Sequence, residues 1–207
     1  LKLVGDDNTI KTLRGEVNEA LWESHLAGDQ GLGIIPIRDD STVVFGAIDI
    51  DVYDGLDYSE IARKIKEFKL PLIPVKSKSG GVHCYMFLKE AVLAEFAQAK
   101  LKEFAAALGH GGCEIFPKQT KLLAERGDIG QWINMPYFNM AGTTRYGLRT
   151  DGSPMPIEEF LEYAEAMKGG AKFPPVQLFE QDGRYYIGDG WHRLRAAKEL
   201  GYGKFPA

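Results

Sequence analysis

Asp49 and Asp51 stand two residues apart at the end of an apolar run, Val43-Val44-Phe45-Gly46-Ala47-Ile48-Asp49-Ile50-Asp51. A strand sends alternate side chains to one face, so this spacing brings both carboxylates out together. Two carboxylates so placed repel each other unless a cation lies between them. Oxygen ligands of that kind suit a divalent metal, and a divalent metal suits phosphate chemistry. The plainer reading is that aspartates also close strands and open turns, and Asp54-Gly55 follows closely.

Three further clusters carry chemistry. Ser77-Lys78-Ser79-Gly80-Gly81-Val82-His83 puts two glycines where a backbone can approach a ligand, and exposed amides in such a turn form an anion nest. Lys78, Ser79 and His83 add donors suited to phosphate oxygens. An ordinary Gly-Gly hairpin with a satisfied histidine is the alternative. In Cys113-Glu114-Ile115-Phe116-Pro117-Lys118-Gln119, Glu114 is an acid in a short apolar strand and needs a cation or a metal if it is half-buried. Lys118 and Gln119 follow as phosphate or base contacts, and the alternative is a surface Glu on an edge strand. In Gly130–Asn139, Asn134 sits among large apolar residues, as a ligand-orienting amide or a core amide, and Arg145 beyond Thr143-Thr144 is a candidate phosphate clamp.

As a set, these residues compose a nucleotidyl-transfer site. Asp49, Asp51 and Glu114 are the expected catalytic acids, holding two divalent metal ions about 3.5–4 Å apart, which activate a 3′-hydroxyl and bind a triphosphate. Lys78, Ser79, Gly80, Gly81, His83, Lys118 and Arg145 are the expected nucleotide-binding residues. Positioning and charge neutralisation then supply the catalysis, with no nucleophilic side chain.

These groups need an alternating framework. The spacing predicts helices over Leu13–Ala27, Asp57–Phe68, Glu90–Leu108 and Ile157–Met167, and strands over Leu32–Arg38, Thr42–Asp51, Leu72–Lys76, Val82–Leu88, Cys113–Phe116 and Gln131–Phe138. Asp39-Asp40-Ser41 reads as a hairpin turn. After Lys168-Gly169-Gly170-Ala171, a linker-like stretch, come strands over Val176–Phe179 and Tyr185–Ile187 and a helix over Trp191–Leu200. The order is that of an α+β fold with antiparallel hairpins packed on helices.

The 207 residues allow one or two domains. A hydrophobic share of 44% and a charged share of 26% are those of a soluble globular protein. No apolar run reaches the about 18 residues of a membrane span, and no signal-peptide pattern appears. The sequence opens on Leu1, as a piece of a longer chain does. Cys84 and Cys113 form no C-x-x-C pair; buried free thiols in a reducing cytoplasm are expected. The net charge of −4 is not that of a nucleic-acid coat, although Ile61–Lys78 holds six basic residues against Glu67 alone. That stretch reads as a phosphate-facing patch or a solvated helix face.

The motifs resemble the archaeo-eukaryotic primase superfamily, the primase-polymerases, and most of all its branch in mobile elements and TOTE-type conflict systems. The likeness runs from Leu21 to about Arg149. Gly33-Ile34-Ile35-Pro36-Ile37 followed by Ala47–Asp51 resembles the first motif, a D-x-D. Ser79 to His83 resembles the second, in which Ser and His contact the incoming nucleotide. Glu114–Gln119 resembles the third, where an acid completes the metal site, and Trp132–Tyr137 the run that follows it. Glu114 stands where many relatives carry Asp. The spacing in the second motif leaves Lys78 and Ser77 as alternatives to Ser79, and zinc-binding cysteines are absent. The resemblance implies a catalytic domain over 1–168, built of an αβ unit and an RNA-recognition-motif-like antiparallel sheet. It implies Mg²⁺ or Mn²⁺, nucleoside triphosphates, a DNA template and primer, and a helicase or other replication protein nearby, with no membrane.

Ile187–Gly201 resembles the ParB/sulfiredoxin-type core, in which a G-x-x-R motif at a helix start binds nucleotide phosphates. That implies a partial module over 171–207, a short β-hairpin–helix, with Gly190, His192 and Arg193 at a second phosphate site. A plain packed extension is the alternative. The leading expectation is a template-directed DNA primase-polymerase. Its rivals are an inactive nucleic-acid-binding module and a ParB-like nucleotide switch.

Overall fold

The computed structural model describes residues 2–3, 10–13, 15, 17–52 and 55–168, together with the backbone of 4, 169, 177–181 and 184–189. In chain order the elements are β1 (Lys2–Val4), β2 (Ile10–Thr12), α1 (Glu19–Ala27), β3 (Gly31–Ile34), β4 (Thr42–Ile50), α2 (Tyr58–Glu67), β5 (Ile73–Lys76) and β6 (Val82–Leu93). They continue as α3 (Ala94–Leu108), β7 (Glu114–Phe116), β8 (Ile133–Asn134), β9 (Gly147–Leu148), β10 (Pro154–Met155), α4 (Ile157–Gly169), β11 (Gln177–Gln181) and β12 (Arg184–Asp189). Six strands form one antiparallel sheet, in the order β10-β9-β5-β6-β4-β7, and four form another, β2-β1-β3-β8; β11 and β12 pair with each other. The fold is α+β, as its alternating patterns predict.

Each face of the six-stranded sheet buries its own core. Ile48, Ile50, Val82, Cys84 and Met86 point to the side covered by α2 and α3, which supply Ile61, Ile65, Leu101 and Leu108. Ala47, Ile73, Val75, Tyr85 and Phe116 point to the other side. There Leu32 of β3, Ile133 of β8 and Phe160 and Tyr163 of α4 meet them. Each fully buried Ile or Leu contributes about 1.5–3 kcal/mol. Arg149 and Glu159 tie the end of β9 to α4 at 2.7 Å, with the Glu159 side chain 1% exposed. Among the described residues no helix is long and apolar enough to cross a membrane.

Several boundaries differ from the sequence expectation. Asp39-Asp40-Ser41 does form a tight turn, closed by Arg38 N–H to Thr42 O at 2.9 Å, but β3 and β4 belong to different sheets. Pro36 has no N–H to donate, so pairing stops after Ile34, and Ile37 enters the core under α3 while Leu32 remains in the other. Helix α1 starts at Glu19, where the Asn18 side chain accepts from Leu21 N–H. Residues 90–93 extend β6 rather than opening α3, because Val92 and Leu93 pair with Val43 and Thr42. Only Ile133–Asn134 of the expected 131–138 strand is paired; Pro136 and Tyr137, at φ +63°, end it. On α2 the basic residues Arg63 and Lys64 are matched by Glu67 and Glu60 at i,i+4, which is a solvated helix face. The expected helix over Trp191–Leu200 lies outside the described residues.

Candidate active site

The pairing of five strands sets Asp49 in a row. Asp49 of β4 lies opposite His83 of β6 on one side and opposite Glu114 of β7 on the other. His83 in turn lies opposite Val75 of β5, and Val75 opposite Gly147 of β9. Residues paired across a sheet share a face, so His83, Asp49 and Glu114 emerge on the side of Tyr85 and Phe116.

Alternation produces a second row two residues further out. Ser77 N–H donates to Gly81 O at 2.8 Å, and Lys76 N–H donates to Tyr146 O at 2.9 Å, so the ladder continues past the strand ends. This brings Arg145, Ser77, Gly81 and Asp51 to the same face. A Cβ on residue 81 would fall 2.4 Å from Ile50 O and 3.3 Å from Asp51 Oδ1. Only glycine lets the hairpin lie this close to the acidic strand. The acids therefore cluster toward β4 and β7, and the donors toward β5 and β9.

Asp49 is the buried member of the pair. Its side chain is 13% exposed and that of His83 11%, with His83 Nε2 3.3 Å from Asp49 Oδ1. That contact is too poorly aligned to be a hydrogen bond, and Asp49 Oδ1, shut off from solvent, has no hydrogen-bond partner among the described residues. An ionised oxygen in that state is costly unless a cation meets it. The donor set suits a hard divalent ion: Asp49 and Asp51 offer carboxylate oxygens on one face. Glu114 is differently placed. Its backbone faces Asp49, but its side chain is 56% exposed and its Oε2 lies 2.7 Å from Lys118 Nζ. Among the described residues no three His, Cys, Asp or Glu side chains are grouped as a ready metal cage. An exposed ion pair like Glu114–Lys118 is worth about 0–1 kcal/mol, so releasing Glu114 toward an ion costs little.

The donors are held by their own supports. Gln98 of α3 donates to Pro117 O at 3.0 Å and to Lys118 O at 2.9 Å, fixing the strand exit that carries Lys118. The Lys118 ammonium also lies over the Phe116 ring. Arg145 stacks on the Phe138 ring at 5.1 Å, and its Nη1 is buried with no hydrogen-bond partner among the described residues. Burial lowers the Arg145 pKa, opposed by Tyr85. Ser77 is buried and Ser79 exposed, their hydroxyls 3.1 Å apart, so the alternation puts Ser77 rather than Ser79 on the face of His83. Lys78 is exposed at the hairpin tip and Gly80 takes φ +95° there. Gly190, His192 and Arg193 lie outside the described residues.

Two residues of this neighbourhood carry no motif. Tyr85 donates from its hydroxyl to Asn134 O at 2.5 Å and stands 3.5 Å from His83 Nδ1. Its pKa is pushed up by burial and then by the charge of Asp49, against Arg145. Its place two residues after His83 on one strand is the signal that marks it. His25 is fully buried; its Nδ1 accepts from Leu32 N–H at 3.0 Å and its Nε2 donates to Pro136 O at 2.8 Å. It joins α1 to β3 and to the loop leading to Arg145, and no local pattern announces that. Both thiols stay protonated: burial pushes Cys84 up, and pushes Cys113 up to about 11.

Comparison with curated proteins gives no match. The family described as the TOTE conflict system, Archaeo-Eukaryotic Primase domain, matches residues 7–170, which include both rows of the site. The chain belongs to that family of archaeo-eukaryotic primase domains.

Proposed function

We propose that this chain carries out template-directed nucleotidyl transfer, extending or starting a strand on a DNA template from nucleoside triphosphates. The observation that carries this reading is the row of His83, Asp49 and Glu114 across three paired strands, with Asp49 Oδ1 buried and without a hydrogen bond among the described residues. Asp49 and Asp51, joined by Glu114, would hold Mg²⁺ or Mn²⁺, which supplies activation of the attacking 3′-hydroxyl and neutralises charge on the triphosphate.

The protein groups do the rest. The hairpin Ser77–Gly81 offers the amides of Lys78 and Ser79, which donate to no group among the described residues. Ser77, Lys78, Ser79 and His83 give further donors to phosphate oxygens, with Gly80 and Gly81 allowing close approach. Arg145, pressed on Phe138, presents its unpartnered Nη1 to the anionic end of the ligand. Lys118, once Glu114 turns to a cation, is free to meet phosphate. Charge and positioning carry the reaction. A helicase or other replication protein as neighbour, and a phosphate site at Gly190–Arg193, rest on resemblance alone.

Primer extension with Mn²⁺ tests the reading. Asp49→Asn keeps the volume and removes the charge, and is expected to lower extension at least about a hundredfold. Full activity in this variant would overturn the assignment. A second reading, a nucleic-acid-binding module without catalysis, is favoured by the Lys118 ammonium already seated on Glu114. Salt-dependent DNA binding by wild-type chain that never extends a primed template would select it.

A further inference from the structure

The hairpin that carries the phosphate-facing donors is held from behind by the first residue of α2. The Tyr58 hydroxyl donates to Gly80 O at 2.7 Å, at the hairpin tip. The Lys76 ammonium, at the base of the same hairpin, lies 5.6 Å from the centre of the Tyr58 ring and 5.6 Å from that of Tyr146. One tyrosine thus touches both ends of the turn.

Tyr58 is itself fixed. Asp57 caps α2, its Oδ1 accepting from the N–H groups of Ser59 at 2.9 Å and Glu60 at 3.1 Å and from the Ser59 hydroxyl at 2.6 Å. Ile61, Ala62 and Ile65 bury the inner face of the helix against the sheet. Lys76 points away from the catalytic face, because Val75 and Ser77 on either side of it point toward that face. The restraint therefore grips the hairpin without occupying the space where a ligand would lie.

We propose that Tyr58 is a positioning residue for the incoming nucleotide. Its hydroxyl, with Lys76 held between Tyr58 and Tyr146, fixes residues 77–81 in the shape that receives phosphate, so that little ordering is left to occur on binding. This rests on the reading of the hairpin as the triphosphate holder.

Tyr58→Phe keeps the ring and its cation contact and removes only the hydroxyl. Three measurements compare it with wild type. In the free protein, hydrogen exchange at the amides of Ser77 and Gly80, which donate to Gly81 O and Ser77 O, is expected to quicken about fivefold, the equivalent of one modest hydrogen bond. Calorimetry with dATP and Mn²⁺ is expected to give an about fivefold weaker Kd. In primer extension KM for dATP should rise about fivefold while kcat changes less than about twofold, a split that a general loss of structure would not produce. Lys76→Met, which removes the cation and leaves the Tyr58 hydrogen bond, is expected to shift exchange and KM in the same direction. Wild type that binds dATP, with unchanged exchange and KM in both variants, overturns the role of Tyr58 alone. Wild type that binds no dATP overturns the underlying reading, and this role with it.

Discussion

His25 shows how a single buried side chain can be more demanding than a charged one at the surface. Both ring nitrogens are committed, Nδ1 as acceptor for Leu32 N–H and Nε2 as donor to Pro136 O, so the neutral ring is the form the fold accommodates. Burial, and after it the nearby Arg145, lowers its pKa from the ordinary 6.5, against the bond to Pro136. A histidine depressed in the folded state adds stability that is complete above its unfolded pKa and is lost as pH falls below it. Chemical denaturation is therefore expected to show stability falling as pH is lowered from about 7 to 5, with that component absent in His25→Ala. The same variant leaves Leu32 N–H and Pro136 O without partners and should cost about 3 kcal/mol at neutral pH. By contrast, the Glu114–Lys118 pair on the surface is worth little, and its importance is in which cation Glu114 meets.

At the level of elements, the contact between β4 and β7 decides whether Glu114 belongs to the site at all. Gly46 permits that contact: a Cβ there would fall 2.7 Å from Phe116 O and 2.7 Å from Leu101 Cδ1. Gly46→Ala is expected to push β7 off β4 and lower stability by about 1–3 kcal/mol, read as a drop in the thermal midpoint. It should also reduce Mn²⁺ affinity, measured directly by calorimetry. The D-x-D strand, the Gly-Gly hairpin and the helices with clean apolar stripes were legible because their signals are local: alternation, turn residues and 3.6-residue spacing. The misread boundaries have non-local causes. Residues 90–93 carry a helix-compatible pattern and become strand because Thr42 and Val43 pair with them. The expected β3–β4 hairpin fails because one buried proline moves the chain between layers. For the same reason the strand pairing that sets His83, Asp49 and Glu114 in one row was not legible, and neither were Tyr58 and His25, whose bonds to Gly80 and Pro136 join distant parts of the chain; Tyr85 is marked by its place two residues after His83.

For the molecule as a whole, every side chain in the two rows comes from residues 49–145, while β11 and β12 pair with each other after α4. We take 1–168 and 171–207 as two units. A chain ended at Lys168 is expected to unfold within about 3 °C of the full chain and to keep its nucleotide affinity. A large loss of either would make the tail part of the core. The pairing of Val75 with Gly147 has a further consequence for how the polypeptide comes to act. Arg145 reaches Ser77 only when a late strand docks on an early one, and such distant closures form slowly. A nascent polypeptide emerging from the ribosome would carry its acids and its glycine turn long before the guanidinium arrives. Under the proposed function, competence for synthesis would thereby be withheld until translation has nearly completed the domain.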